Sequence, residues 1–308
     1  MSNPFYSLLL LIALVAFASP AGVADAERGR MDLTFGVEHV TVLYDGLDIS
    51  QADLRAYVSD AALASCKIYG HMPVARTVIK IDGTDGDSVG FATSTYSDDD
   101  DCGLIELSLG RNTSRKTLNQ SWTLTHEIIH LGFPIVERSK RWLAEGIATY
   151  EEPIGRLRMG MVDAEAVWGD MLRYAPTGLP PEGDRGLNYT RAWGRVYWGG
   201  ALYCLLADVE IRKKTGNKFG LEHALRGIAS SGGTAASDWS ASQALEAGDQ
   251  ALGLTVLNDL YERMGRNPAD IDLHQLWSQL GIKKTADGIV FDNRAPMASI
   301  RRAIESGS

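Results

Sequence analysis

Cysteine is scarce: Cys66, Cys102 and Cys204 are the only three in a chain of 308 residues. That is too few for a disulfide scaffold, and no two stand at the spacing of a thiolate metal motif. In an oxidising compartment Cys66 and Cys102 are the two able to pair, both lying in the N-terminal part. Cys204 sits in an apolar helical stretch and reads as a buried thiol. Positive charge is also short. Lys and Arg number 30 against 39 Asp and Glu, for a formal net charge of −9 with no basic run, which argues against nucleic-acid binding. Beyond the N-terminus there is no long apolar run. The best candidate, ALYCLLADVEIRKK, meets charges after a few turns, so no membrane span is expected in the mature chain.

The N-terminus carries an apolar run at 8–18, short for a membrane span, then Ala24-Asp25-Ala26. This order suits a signal peptide at 1–26 with cleavage before Glu27, and the expected destination is secreted or periplasmic. No Lys or Arg precedes the run, so the positive n-region is missing and an uncleaved anchor is the competing reading. With 45% hydrophobic content, the rest is enough for one large domain or two small ones.

Alternation predicts strands at 38–44, 76–82, 88–96 and 103–110, with a helix at 50–69 capped by Ser50. After Arg111 the periodicity is helical: 114–131, 140–152, 164–173, 190–215, 220–230, 241–246, 251–264 and 273–280. A Pro- and Gly-rich stretch at 177–186 reads as an ordered loop. The expected class is therefore α+β, with a sheet subdomain at 27–115 and a helical subdomain at 116–308. The acid run at 97–101 reads as a solvated loop. Sequons at Asn112, Asn119 and Asn188 matter only where exported chains are glycosylated.

One stretch carries chemistry: HEIIHLGFPIVERSKRWLAEG, residues 126–146. On a helix His126 and His130, four apart, present two imidazoles to one side, and Glu127 projects beside them, where a carboxylate takes the proton of a metal-bound water. Leu118, Trp122, Ile128 and Ile129 give the helix a buried side, and Gly132 and Pro134 end it. A hydrolytic zinc takes a third protein ligand. Phe133 and Val136 stand where a metzincin needs glycine and histidine, which removes that class. Glutamates remain: Glu137, close in the turn; Glu145, beside Gly146, whose missing side chain permits close helix packing; and the pair Glu151 and Glu152.

Trp142-Leu143-Ala144-Glu145-Gly146-Ile147-Ala148 resembles the W-L-x-E-G-x-A signature of gluzincin metallopeptidases, the thermolysin-like clan, and especially its aminopeptidase branches. The resemblance implies a zincin-like α+β catalytic domain, Zn2+ as cofactor and Glu145 as third ligand. It also covers Tyr150 and Glu152, the latter two turns beyond Glu145 and able to bond a ligand histidine from behind. Tyr197-Trp198-Gly199-Gly200-Ala201 and its sequel resemble the Y-x-K-G-a helix of the clan, closest to the glycyl aminopeptidase group, where the tyrosine steadies the oxyanion. That role falls on Tyr197, with Tyr189 in reserve. Departures are plain. The fourteen residues between His130 and Glu145 are fewer than usual in the clan, and Gly199 replaces the lysine. The G-x-M-E-N motif that holds a substrate's amino group has no clear copy, the nearest being Gly103-Leu104-Ile105-Glu106.

The expected function is an exported zinc metallopeptidase acting on a peptide or protein substrate, endopeptidase or aminopeptidase. Glu127 serves as base and Tyr197 as oxyanion donor. The strand at 103–110 is either an edge that seats the peptide or a plain inner or outer strand. The alternative is a non-catalytic peptidase-fold protein that binds zinc or peptide.

Overall fold

The computed structural model of the chain describes residues 28–307, so the expected signal segment at 1–26 lies outside the described residues. Strand β1 (Gly29–Phe35) was not foreseen. It pairs antiparallel with β2 (Glu38–Asp45). Helix α1 (Gln51–Tyr69) follows, capped by Ser50, whose Oγ accepts from the Asp53 N–H at 3.1 Å, and closed by Gly70 at φ 86°. Then come β3 (Arg76–Thr84), β4 (Val89–Ser97) and β5 (Cys102–Gly110).

These five strands form one mixed sheet in the spatial order β1-β2-β3-β5-β4, with parallel centre and antiparallel flanks. GLIELSLG, within β5, is thus an inner strand. The hairpin folds back so that β5 pairs with β3, which leaves β4 at the edge. The turn joining β4 to β5 is the acid run, exposed at Asp98–Asp101 and pinned by Tyr96 Oη donating to Asp101 at 2.7 Å.

Helices make up most of the rest: α2 (Arg115–Gln120), α3 (Thr123–His130), α4 (Trp142–Arg158), α5 (Ala164–Tyr174), α6 (Trp193–Thr215), α7 (Leu221–Ser230), α8 (Ala241–Leu252), α9 (Val256–Leu260) and α10 (Leu273–Leu280). A hairpin of β6 (Ile282–Thr285) and β7 (Gly288–Phe291) and a last helix, α11 (Ala298–Ser306), went unforeseen. The helix expected at 114–131 is two, because Ser121 is extended (φ −72°, ψ 133°). The one expected at 251–264 is α9 running into a π-helical turn, Tyr261–Gly265. The loop at 177–186 is ordered by Arg195, which forks onto both carboxylate oxygens of Asp184 at 3.2 Å.

Two apolar cores result. One lies under the sheet, between Val42, Ile79, Ile105 and Leu107 and the Leu54–Ala62 side of α1. The other fills the helical part around Trp142, Tyr150, Tyr203 and Leu205. Helix α3 serves both, giving Leu124 and Ile128 to the first and Ile129 to the second. All three cysteines are free thiols, and Cys66 and Cys102 form no disulfide. Asn188 is buried, accepting from Trp142 Nε1 at 2.9 Å and donating to Tyr261 at 3.1 Å, so the folded chain offers no glycan site there.

Candidate metal centre

Both cores claim apolar residues of α3, and its remaining face, His126, Glu127 and His130, opens on a cleft of about 790 Å³. After His130 the chain turns at Gly132, where a Cβ would meet the Tyr69 ring at 2.2 Å. It then pairs with 237–239 through Ile135 and enters α4. Glu145 lies in the first turns of α4 and its carboxylate faces both imidazoles. His126 Nε2 is 3.6 Å and His130 Nε2 3.5 Å from the same Glu145 oxygen, and the two rings stand at 87° with centroids 4.7 Å apart. All three donor atoms lie within 4.8 Å of one another.

This donor set fits a tetrahedral transition-metal ion. Ligand atoms each about 2.1 Å from a tetrahedral centre stand about 3.4 Å apart, close to both nitrogen–oxygen separations, and two imidazoles with one carboxylate suit zinc. Electrostatics agree. Burial works to raise the Glu145 carboxyl, but the two imidazoles outweigh it and hold the group well below the usual carboxylate range. Burial pushes His126 down, keeping it neutral and able to ligate.

The other candidates fall away. Glu137 caps α8, accepting from the Ala241 N–H at 3.1 Å. Glu151 is buried on another side of α4. Glu152 does not reach a histidine through any bond seen here: it binds Arg156 at 2.9 Å, whose other nitrogen bonds the carbonyls of Asn119 and Gln120.

Glu127 is 9% exposed and accepts from Ser94 Oγ on β4 at 2.7 Å, which fixes its carboxylate at the cleft floor. Sequence reasoning missed Ser94; its strand alternation, with Ala92 and Tyr96 on the same side, was the available signal. Tyr197 is placed by helix packing. A Cβ on Gly146 would sit 2.3 Å from the Gly200 backbone, so α4 and α6 touch where neither has a side chain. Glu145 precedes one glycine and Tyr197 stands three before the other, and the crossing brings phenol and carboxylate together. The Tyr197 ring lies against His126 (6.3 Å, 15°) and stacks on Trp193 (5.0 Å, 25°). Burial, then the Glu145 charge, push its phenol well up, so it stays a hydrogen-bond donor. Tyr189 is 56% exposed and lies beneath Arg185, away from this cleft. Trp122, expected on the buried side of the helix, is half exposed and stands edge-on to His126 at 5.2 Å.

Edge strand β4 forms one wall, with Gly90 to Tyr96 all lining the cleft, and Phe91 is 78% exposed at its lip. Among the described residues lining it, the only carboxylates are Glu127 and Glu145. Glu106 stands on the exposed face of β5, 3.9 Å from Lys80, and does not enter.

No protein-family profile and no curated protein matches the sequence. Solved structures do. An M1 zinc metallopeptidase from Deinococcus radiodurans aligns at TM-score 0.53 and 19% identity, over 80% of this chain and 55% of its own. An aminopeptidase N family protein from Idiomarina loihiensis aligns at 0.61 and 12%, over 83% and 49%. A mutant of the Deinococcus protein solved with a Tyr-Ser-Ala substrate aligns at 0.52 and 18%, over 80% and 54%. The chain spans about half the length of these structures, and at such identities the likeness is one of fold: an α+β arrangement shared with M1 zinc metallopeptidases.

Proposed function

We propose that this chain is an exported zinc peptidase that hydrolyses peptide bonds, with His126, His130 and Glu145 holding the metal. The observation that carries the reading is the convergence of these three side chains, at tetrahedral spacing, on a cleft that also holds Glu127, Tyr197 and an open strand edge. When bound there, zinc polarises the scissile carbonyl and brings the pKa of a bound water towards about 7. Glu127, oriented by Ser94, takes the proton from the attacking water and passes it to the leaving amine. Tyr197, kept protonated, donates to the oxyanion. The outer backbone groups of β4 pair with an extended peptide, giving affinity with little sequence choice.

Export rests on the apolar run and Ala24-Asp25-Ala26, outside the described residues. The test pairs metal analysis with peptide-library digestion, for the wild type and for Glu127→Gln. One zinc per chain in both, with kcat about 10³-fold lower in the variant, is expected of a general base. Zinc in both and cleavage in neither identifies a non-catalytic binder, and internal cut sites separate an endopeptidase from an aminopeptidase.

A further inference from the structure

In an acidic chain most buried arginines are spoken for: Arg156, Arg195, Arg212 and Arg301 each hold a carboxylate within 3.2 Å. A second hollow, about 620 Å³, instead gathers exposed arginines from two separate turns of the chain. Arg138, Arg141, Arg185 and Arg191 all line it, all four are exposed, and among the described residues none has a carboxylate at ion-pairing distance. Ser139 and Tyr189 line it too, and the Arg185 guanidinium lies over the Tyr189 ring at 4.8 Å. Its frame is rigid. One wall is the 3-10 turn Arg138–Lys140 leading into α4, and the other is the turn Leu187–Tyr189, anchored through buried Asn188 to Trp142 and Tyr261.

Four like charges sharing one hollow repel each other and are stabilised by a shared anion. Among the described residues lining this place there is no Asp or Glu. Position says what the anion belongs to. Arg141 lines this hollow and the metal cleft alike, and its charge is felt at Tyr197, so an anion here lies on a continuous surface with the scissile site.

We infer that this hollow is a substrate subsite for a carboxylate carried a few residues from the scissile bond. The inference rests on the peptidase reading and adds a substrate class to it: acidic peptides. Guanidinium forks match carboxylates bidentately, so the subsite selects charge and fixes where the peptide lies along β4. The carboxylate has two sources, an acidic side chain or a peptide C-terminus.

Binding in a protein that does not cut tests this. Hexapeptides with free amino termini are titrated calorimetrically into zinc-loaded, full-length Glu127→Gln: one as C-terminal acid, one as amide, and amides with a single Glu or Gln at each position in turn. The same set is titrated into Glu127→Gln carrying also Arg185→Gln and Arg191→Gln, both at exposed positions. The expected result is about tenfold tighter binding of a carboxylate-bearing peptide than its neutral match. That advantage vanishes in the triple variant and shrinks at about 0.5 M salt, while neutral peptides bind both proteins alike. Preference for the acid over the amide assigns a C-terminus; preference for Glu over Gln assigns a side chain. Equal affinities for acidic and neutral peptides, or an advantage that survives loss of both arginines, overturns the inference. Failure of the peptidase reading shows separately, as wild type that cleaves no peptide of the set.

Discussion

Helix α4 carries three glutamates within two turns, and they meet opposite fates. Glu145 stands at the cleft between two imidazoles that keep it ionised. Six residues on, Glu151 is 1% exposed, with one oxygen lacking any partner among the described residues. Around it Arg212 bridges Asp208 at 2.8 Å and Glu222 at 2.9 Å, and Arg158 lies 3.6 Å from Glu222. Two cations already balance two anions there, so Glu151 would be an excess charge. Burial first, then Glu222 and Asp208, push its carboxyl well up and keep it neutral. Glu152 lies between these extremes, pushed up by burial to about 7 although Arg156 opposes the shift. The same residue type is thus an anion between imidazoles, a titrating group and a neutral filler, according to what faces it.

One substitution, Glu→Gln, applied along α4 sharpens this contrast. At Glu145 it removes the anionic ligand. The expected outcome is zinc affinity lower by at least about 100-fold, with hydrolysis lost at ordinary zinc levels, read by competition with a chromogenic chelator. Across the cleft, Tyr197→Phe keeps the metal and the fold. It is expected to lower kcat about 100-fold with KM little changed, since the lost hydrogen bond acts on the developing oxyanion.

At Glu152 the effect is on stability and depends on pH. Its folded pKa, about 7, exceeds the ordinary glutamate value of 4.5, so the protonated form favours folding; that contribution is present at low pH and fades as pH rises through about 7. Denaturant unfolding from pH 4.5 to 7.5 should show Glu152→Gln gaining roughly 3 kcal/mol relative to wild type. A flat difference would place Glu152 in an ordinary ion pair. Glu151→Gln is the smallest change. One neutral side chain replaces another of the same shape, and unfolding free energy should move by less than about 1 kcal/mol at pH 7. A loss of several kcal/mol would mean that Glu151 is charged and paired.

Much of the centre was legible because it is local. His126, Glu127 and His130 lie within one helical turn and a half, and Gly146 marks a close crossing that the Gly200 contact displays. What sequence reasoning missed depends on chain topology. Nothing in the alternation of β4 and β5 tells which is the outer strand, since the hairpin can dock by either member; β4 was overlooked as a wall of the cleft, and Ser94 with it. Glu152 was assigned by helical phase, which fixes a direction on α4 but not that Arg156, one turn on, would claim it. The break at Ser121 interrupts a continuous apolar pattern, and β1 and the β6–β7 hairpin are short strands set beside stronger signals. Arginines from two separate turns come together only in the folded chain.

Anomalous diffraction at the zinc edge from crystals of the full chain reads the proposed three-ligand zinc site itself. A single strong peak bonded to His126 Nε2, His130 Nε2 and a Glu145 oxygen is expected, with a fourth position open to solvent. A peak elsewhere, or an active protein with no zinc between these side chains, would contradict it.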